Sequence, residues 1–451
     1  KYVDSGIAQT AVIASAVIGS VNGSQTANAG MTGSFTIPLM KENGIKPETA
    51  GGIEAVASTS GQVLPPVMGA GAFIMASLIT GITYVDVIIA GLIPAAVLVV
   101  SIVMAVHYVA APQIADPEMS GVFSETMDRQ EMVLESIKYG VPLAILIYVL
   151  GVLQYTVMTA ALYTALSMIA FGIGIPLVQA TLAGESRRDA FVGTLEQTVD
   201  GFREGVIVVA PVTIILAAIN GVVDILMATG VPTAISLTLL DLSGGVAIIA
   251  FVLAMIICIL LGLGMPTTAA YTVVALLVAP TLISQFAVPE FAAHFFVFYA
   301  AILAGLTPPI ATCVAVTCGI SGGGFWTSCK EALRISAPLF VLPFAFVYHP
   351  ELVSGTFEPA AIVSGLLALF GSIAMIHGIN YQFVFGRGQT YGLRVAFFVA
   401  GVLAMVHPMV EVQLGALAAV GGLYVLQTAV GRPDPLRTLR GAAGLFSGRK
   451  R

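Results

Sequence analysis

Long apolar runs dominate this chain, and four short polar, glycine- or proline-rich breaks interrupt them. The breaks fall into two matched pairs. The first pair is Gly19-Ser20-Val21-Asn22-Gly23-Ser24-Gln25-Thr26 and Ser60-Gly61-Gln62-Val63-Leu64-Pro65-Pro66. The second is Gly262-Leu263-Gly264-Met265-Pro266-Thr267-Thr268 and Ala304-Gly305-Leu306-Thr307-Pro308-Pro309. Ser24 to Pro65 is 41 positions and so is Thr267 to Pro308, which sets corresponding features 243 residues apart. Helix breakers at membrane depth are tolerated only where the freed backbone faces protein or a watery cavity. Paired broken segments at matching places in two halves point to the binding site of a secondary transporter.

The apolar pattern predicts a re-entrant hairpin over 9–40 and a broken crossing over 48–82. Plain crossings follow near 84–111, 134–157, 158–183 and 205–231. A second hairpin is predicted over 245–287 and a second broken crossing over 292–320. The chain finishes with crossings near 331–349, 355–378, 391–408 and 410–430. The expected arms of the first hairpin, about 11 and 15 residues, are shorter than the roughly 20 needed to cross a bilayer. Four regions result: a first repeat at 1–111, a connector with scaffold helices at 112–231, a second repeat at 232–350, and C-terminal helices with a basic tail at 351–451. The polar segments 112–132 and 184–204 are predicted as cytoplasmic surface connectors or amphipathic arms, read most simply as solvated links between two bundles.

Positive charge tests this topology. With the C-terminal tail, rich in Arg, placed in the cytoplasm, counting crossings backwards puts all 18 Lys and Arg on that side. The outside loops predicted near 232–243, 288–292, 350–358 and 409–411 then hold Asp241, Glu290, Glu351, Glu358 and Glu411 and no cation. The two hairpins enter from opposite faces, so the repeats are related by inverted topology and their tips are expected to meet near the midplane.

Composition agrees with an all-α polytopic membrane protein: 58% of residues are hydrophobic and 9% charged, with a mean hydropathy of +0.99. The four cysteines, Cys258, Cys313, Cys318 and Cys329, have no metal-ligand spacing and read as small packing residues. The chain opens at Lys1 with an apolar stretch within ten residues, and the N-terminal part of a longer polypeptide is expected to precede it.

The breaks carry the candidate chemistry. A helix that stops exposes carbonyls at one side of the gap, which suit Na⁺, and amides at the other, which suit an anionic group. Ser20, Asn22 and Ser24 add neutral oxygens in the first hairpin, and Thr267 and Thr268 in the second. Ser58, Thr59, Ser60 and Gln62 line the first broken crossing, and Thr307 the second. Gly19, Gly23, Gly61, Gly262, Gly264 and Gly305 permit close approach. Ser, Thr and Gly are also ordinary contacts between membrane helices, a reading that explains single residues better than the matched spacing. Glu54 and Asp224 are the ionisable residues at depth. Glu54 is open to three roles: supporting a cation site, carrying a proton, or pairing at a helix interface. Without a Ser-His-Asp set, an HExxH or a Walker loop, no catalytic role is expected.

The runs Gly33-Ser-Phe-Thr-Ile-Pro-Leu-Met-Lys41 and Glu54-Ala-Val-Ala-Ser-Thr-Ser-Gly-Gln-Val-Leu-Pro-Pro-Val-Met-Gly69 resemble the large permease of TRAP transporters. The resemblance continues through Gly262-Leu-Gly-Met-Pro-Thr-Thr-Ala-Ala-Tyr271 and Gly305-Leu-Thr-Pro-Pro309, covers about residues 5–350, and is closest to the fused-permease type that works with TAXI binding proteins. It implies an elevator-type fold of the ion-transporter superfamily and uptake of organic acids driven by Na⁺ across the bacterial inner membrane, with no organic cofactor. The implied partners are a periplasmic TAXI-type binding protein, a small permease subunit (separate or fused upstream), the organic acid and the lipid bilayer, and no nucleic acid. By motif position, one Na⁺ site would use Ser20 and Asn22 with Ser60 and Gly61. The other would use Gly262, Gly264 and Thr267 with Thr307, and substrate would touch Asn22, Ser24, Thr267 and Thr268. Relatives for dicarboxylates and sialic acid commonly carry Phe-x-Asp-Pro where this chain has Leu263-Gly264-Met265-Pro266. A stand-alone anion permease or ion antiporter of the same superfamily is the alternative reading.

Overall fold

A computed structural model describes residues 5–114, 129–153, 155–184, 186–383 and 385–430, with certain side chains within these, Asn22 and Asp224 included, outside the description. Among the described residues every regular element is a helix. The acidic part of the connector expected at 112–132 and the basic tail after 430 fall mostly outside them.

The first hairpin is α1 (Gly6–Asn22) and α2 (Gln25–Glu42). Its arms run to 17 and 18 residues because Gly19, Ser20 and Asn22 stay helical, so the polar break narrows to Gly23 and Ser24. Each arm is still only about 26 Å long, short of the roughly 30 Å hydrocarbon core. The first broken crossing is α3 (Pro47–Gly61) and α4 (Gly69–Leu78). α5 (Tyr84–Ala110) follows as an unbroken apolar helix. It begins with a full capping box: Asp86 N–H donates to Thr83 Oγ1 at 3.3 Å, and Thr83 N–H to Asp86 Oδ2 at 2.8 Å. Thr83→Ala is expected to cost about 1 kcal/mol, read as a drop of a few degrees in the Tm of the purified protein.

α6 (Arg129–Gly151) and α7 (Val157–Ala183) pack on one another, and α7 on α8 (Arg187–Ala228). α8 differs from the sequence reading: the polar link expected at 184–204 and the crossing after it are one continuous helix of 42 residues. Its Asp, Glu and Arg residues mark an exposed stretch without stopping the helix, because none of them is a breaker. The outside loop expected at 232–243 is likewise helical, as α9 (Val231–Ser243), with Pro232 in its first turn, where a proline is tolerated.

The second hairpin is α10 (Ala247–Gly262) returning through α11 (Thr267–Leu277) and α12 (Ala279–Phe286). Unlike the first, its returning arm over 267–286 is long and apolar enough to cross a membrane. The second broken crossing is α13 (Glu290–Leu303) and α14 (Thr312–Ser321). Next come α15 (Phe325–Ile335) and α16 (Ala337–Tyr348), bent by 42° at Ser336. The crossing expected at 331–349 is thus shorter and preceded by a separate amphipathic helix, with Trp326 exposed and Ser328, Cys329, Ala332 and Ile335 buried. α17 (Pro359–Asn380), α18 (Arg387–Val406) and α19 (Val410–Val430) close the fold, α17 packing on α5.

The 243-residue spacing extends to the backbone. Pro47 and Glu290 both open the first half of a broken crossing, and Gly69 and Thr312 both open the second half. Met68 and Ala311 both take left-handed conformations (φ 52° and 41°), and Pro65-Pro66 and Pro308-Pro309 are both cis. Packing repeats in the same way: α1 and α2 embrace α3, and α10 and α11 embrace α13. The second halves swap, α14 packing on α2 and α4 on α11. The chemistry of that packing differs between the repeats. α3 is buried through Ala50, Gly51, Gly52, Ala55 and Ala57, whereas α13 carries Phe295, Phe296, Phe298 and Tyr299. These aromatics meet edge-to-face, Tyr299 with Phe346 at 5.0 Å and Phe298 with Tyr271 at 5.1 Å.

Three long-range bonds mark one end of the bundle. Lys41 Nζ donates to the Ser321 carbonyl at 2.8 Å, Lys46 N–H to Gln113 Oε1 at 3.0 Å and Arg334 Nη2 to the Asn380 carbonyl at 3.4 Å. These bonds gather the α2–α3, α14–α15 and α17–α18 junctions and the end of α5 on one face. A cleft of about 460 Å³, lined by Thr80, Pro289, Glu290, Pro350 and Glu351, holds the other ends of α4, α12 and α16 together.

Candidate functional site

At the first tip, Gly23 closes α1 with φ 70° and donates its N–H to the Gly19 carbonyl at 3.2 Å. Ser24 is extended and caps α2, accepting the Ala27 N–H at 3.4 Å. Gln62 Nε2, from the first broken crossing, donates to the Gly23 carbonyl at 3.1 Å and so ties the break to the tip. Gly19 and Gly61 face one another so closely that a Cβ on Gly61 would stand 2.7 Å from Gly19 Cα. The second tip repeats this contact 243 residues on, where a Cβ on Gly262 would stand 2.9 Å from Ala304 Cβ. Gly264 takes φ 76° to turn the chain into Pro266, which precedes α11.

The tips meet through Gln25, a buried residue in the first turn of α2. Its Nε2 donates to Thr267 Oγ1 at 3.4 Å, and its Oε1 accepts from Thr59 Oγ1 at 2.9 Å. The amide lies against bare Gly305, where a Cβ would be only 2.3 Å away. One side chain therefore touches both hairpins and both broken crossings.

Hydroxyl orientation matters for ion chemistry. Ser20 Oγ donates to the Val17 carbonyl at 2.7 Å, Ser60 Oγ to the Ala57 carbonyl at 2.9 Å and Thr307 Oγ1 to the Leu303 carbonyl at 2.7 Å. A hydroxyl whose proton is committed to a helix carbonyl presents only lone pairs, which is the orientation a cation requires. Gln62 Oε1 is buried and has no hydrogen-bond partner among the described residues, a further neutral oxygen beside the first break.

Of the candidate residues, Ser20, Ser60 and Gly61 come together at the first tip and break, with Asn22 at the end of α1 and its side chain outside the described residues. Ser24 and Thr267 begin the returning arms, and Thr268 is buried beside Thr267. Gly262, Gly264 and Thr307 lie at the second tip and break. Ser58 turns away to Glu54 Oε1 at 3.0 Å and does not line the break. Two features escaped sequence reasoning. Gln25 was only one of several polar residues in a break. On α2, Thr32 and Thr36 bond Glu54 and Asn28 bonds Ser15 beside it, and their spacing of four was a legible signal.

Two hairpins and two interrupted helices, joined tip to tip around neutral oxygens, are features of a permease. Residues 2–361 match the family described as "Tripartite ATP-independent periplasmic transporter, DctM component". The chain belongs to this family. The match includes both repeats and ends within α17. A Sinorhizobium fredii (strain NBRC 101917 / NGR234) protein, "Uncharacterized protein y4mL", is 31% identical over 104 residues. That similarity covers 23% of this chain and 24% of the relative, so the match spans about a quarter of the relative's length.

Proposed function

We propose that this DctM-type permease takes up organic acids, carboxylates as a class, using a Na⁺ gradient, with substrate delivered by a periplasmic binding protein of the TAXI type. A small permease subunit completes the membrane complex in the bacterial inner membrane, with the cation-rich face in the cytoplasm. The observation that carries this reading is the convergence of two hairpin tips on Gln25 and Thr267. The N-termini of α2 and α11 bring free amide N–H groups to that junction, a charge-free means of holding a carboxylate. Asn22, Ser24, Thr267 and Thr268 are the proposed substrate contacts.

Neutral oxygens fit Na⁺ at two places. The first proposed site combines Ser20, Asn22, Ser60 and Gly61, with Gln62 Oε1 as an added ligand. The second combines Gly262, Gly264, Thr267 and Thr307. Bound Na⁺ supplies the driving force and neutralises charge brought in with the anion. The chain's own part is to offer lone pairs from hydroxyls already committed as donors elsewhere. Because the site elements belong to hairpins and broken crossings, these are the proposed moving body, with α5, α16 and α17 as scaffold.

Proteoliposomes holding the complete permease and its binding protein provide the test. Labelled carboxylate is expected to enter only with both an inward Na⁺ gradient and the binding protein. Uptake indifferent to the binding protein favours the stand-alone permease, and uptake indifferent to Na⁺ defeats the ion assignment.

A further inference from the structure

Glu54 lies fully buried on α3, about two turns before the first break, and its carboxylate meets four hydroxyls. Ser15 Oγ, Thr32 Oγ1 and Ser58 Oγ lie 2.9, 2.5 and 3.0 Å from Oε1, and Thr36 Oγ1 lies 2.6 Å from Oε2. No cation bonds to it among the described residues. Several titratable groups on the elements packed on α3 bond partners other than Glu54. Lys41 of α2 bonds the Ser321 carbonyl, and Glu331 and Arg334 of α15 pair with each other at 3.5 Å. His107 of α5 bonds Ser5, and the Cys313 thiol of α14 donates to the Ala55 carbonyl at 3.4 Å.

The hydroxyls have a second property. Thr32 Oγ1 is 2.7 Å from the Asn28 carbonyl as well as 2.5 Å from Glu54, and Thr36 Oγ1 is 2.9 Å from the Thr32 carbonyl as well as 2.6 Å from Glu54. Each threonine proton therefore has two acceptors. When Glu54 is ionised, all four hydroxyls can donate to it. When it is protonated on Oε2, Thr36 turns its proton to the Thr32 carbonyl and accepts the new O–H. Both states keep the Glu54 carboxyl and its four hydroxyls bonded without moving a heavy atom, which avoids the cost of leaving any of these five groups unpaired. Ser58 is followed by Thr59, which bonds Gln25, so the cage adjoins the junction of the tips.

We propose that Glu54 is a proton-binding site of the moving domain, taking a proton on Oε2 from the outer side and releasing it inside in each transport cycle. The proton entering from external water forms the Oε2–H bond, and the same bond breaks at release, so one proton accompanies the cargo in addition to any Na⁺. This rests on the transport reading given above.

The test uses wild-type protein and Glu54→Gln in proteoliposomes with the binding protein and a trapped pH indicator, at a fixed Na⁺ gradient. Wild-type uptake is expected to acidify the lumen. Glu54→Gln is expected to retain exchange of internal for external substrate, to lose the acidification, and to lose at least about tenfold of accumulation driven by a pH gradient. Equal acidification by the variant, or wild-type uptake without acidification, overturns the proposal. If Glu54→Gln does not fold, Thr36→Val decides: the pH midpoint of uptake is expected to shift by about one unit, the worth of one hydrogen bond to a charged group. An unmoved midpoint counts against the cage. Infrared titration of the purified protein reads the carboxylic C=O band without transport. A titrating band that moves in Thr36→Val supports Glu54 even if organic acids prove not to be the cargo, and a band unaffected by either substitution overturns it.

Discussion

Gly61→Leu is expected to abolish uptake and to lower the thermal stability of the purified protein more than any other single change at the tips. The missing side chain at 61 leaves room for the Gly19 backbone, and a Cβ there would sit 2.7 Å from Gly19 Cα and 3.0 Å from Gly19 C. Backbone atoms cannot rotate out of the way as the end of a flexible side chain does. α1 must then separate from α3, losing the contact that seats the first hairpin. A clash of this kind costs several kcal/mol, and the expected result is loss of most folded protein on size-exclusion chromatography and a fall in Tm beyond 5 °C. Gly172→Leu, on α7 with open space around its Cβ position, serves as the control and is expected to be neutral. At the second tip the obstacle is the Ala304 side chain, 2.9 Å from a Cβ at Gly262. Gly262→Ala should accordingly be damaging alone and relieved by Ala304→Gly, a rescue that no single variant at the first tip offers.

The second large effect is electrostatic. Gln25→Glu keeps the shape of the side chain and still accepts from Thr59; where the amide donates to Thr267, the carboxylate can instead accept from that hydroxyl, so folding is expected to survive. It places a negative charge at the junction where a carboxylate is proposed to sit. Two such charges about 4 Å apart repel by about 4 kcal/mol at the effective dielectric of a protein surface, enough for more than a hundredfold loss of uptake. Gln25→Ala removes two hydrogen bonds without adding charge and is expected to cost about tenfold. Initial uptake rates at matched amounts of inserted protein distinguish the two. Equal rates for Gln25→Glu and wild type would remove substrate from the tip junction.

The fold was legible where breakers are unambiguous. Glycine and proline in an apolar run leave few alternatives, and the matched spacing revealed that two halves share a backbone plan. The repeat was invisible between the breaks because only backbone geometry is shared: α3 packs with alanine and glycine, and α13 with phenylalanine and tyrosine. The continuity of α8 through its polar stretch and the helix at α9 were not legible, because a charged run and a predicted outside loop carry no sign of helix. Solvated charges do not stop a helix, and a proline in the first turn starts one. At the site, the hydroxyls at the breaks could be named from the sequence, but not where each sends its proton. Gln25 could not be found that way, since its partner Thr267 is 242 residues distant. The cage around Glu54 was partly readable, because Asn28, Thr32 and Thr36 form one stripe on α2.

The most direct measurement of the central claim is Na⁺ entry into proteoliposomes on addition of binding protein loaded with carboxylate. The account predicts that substrate stimulates Na⁺ influx in the wild type. It also predicts that Ser60→Ala and Thr307→Ala each raise the Na⁺ concentration needed for half-maximal uptake by about tenfold. Substrate entry with no accompanying Na⁺, or unchanged Na⁺ dependence in both variants, would contradict it.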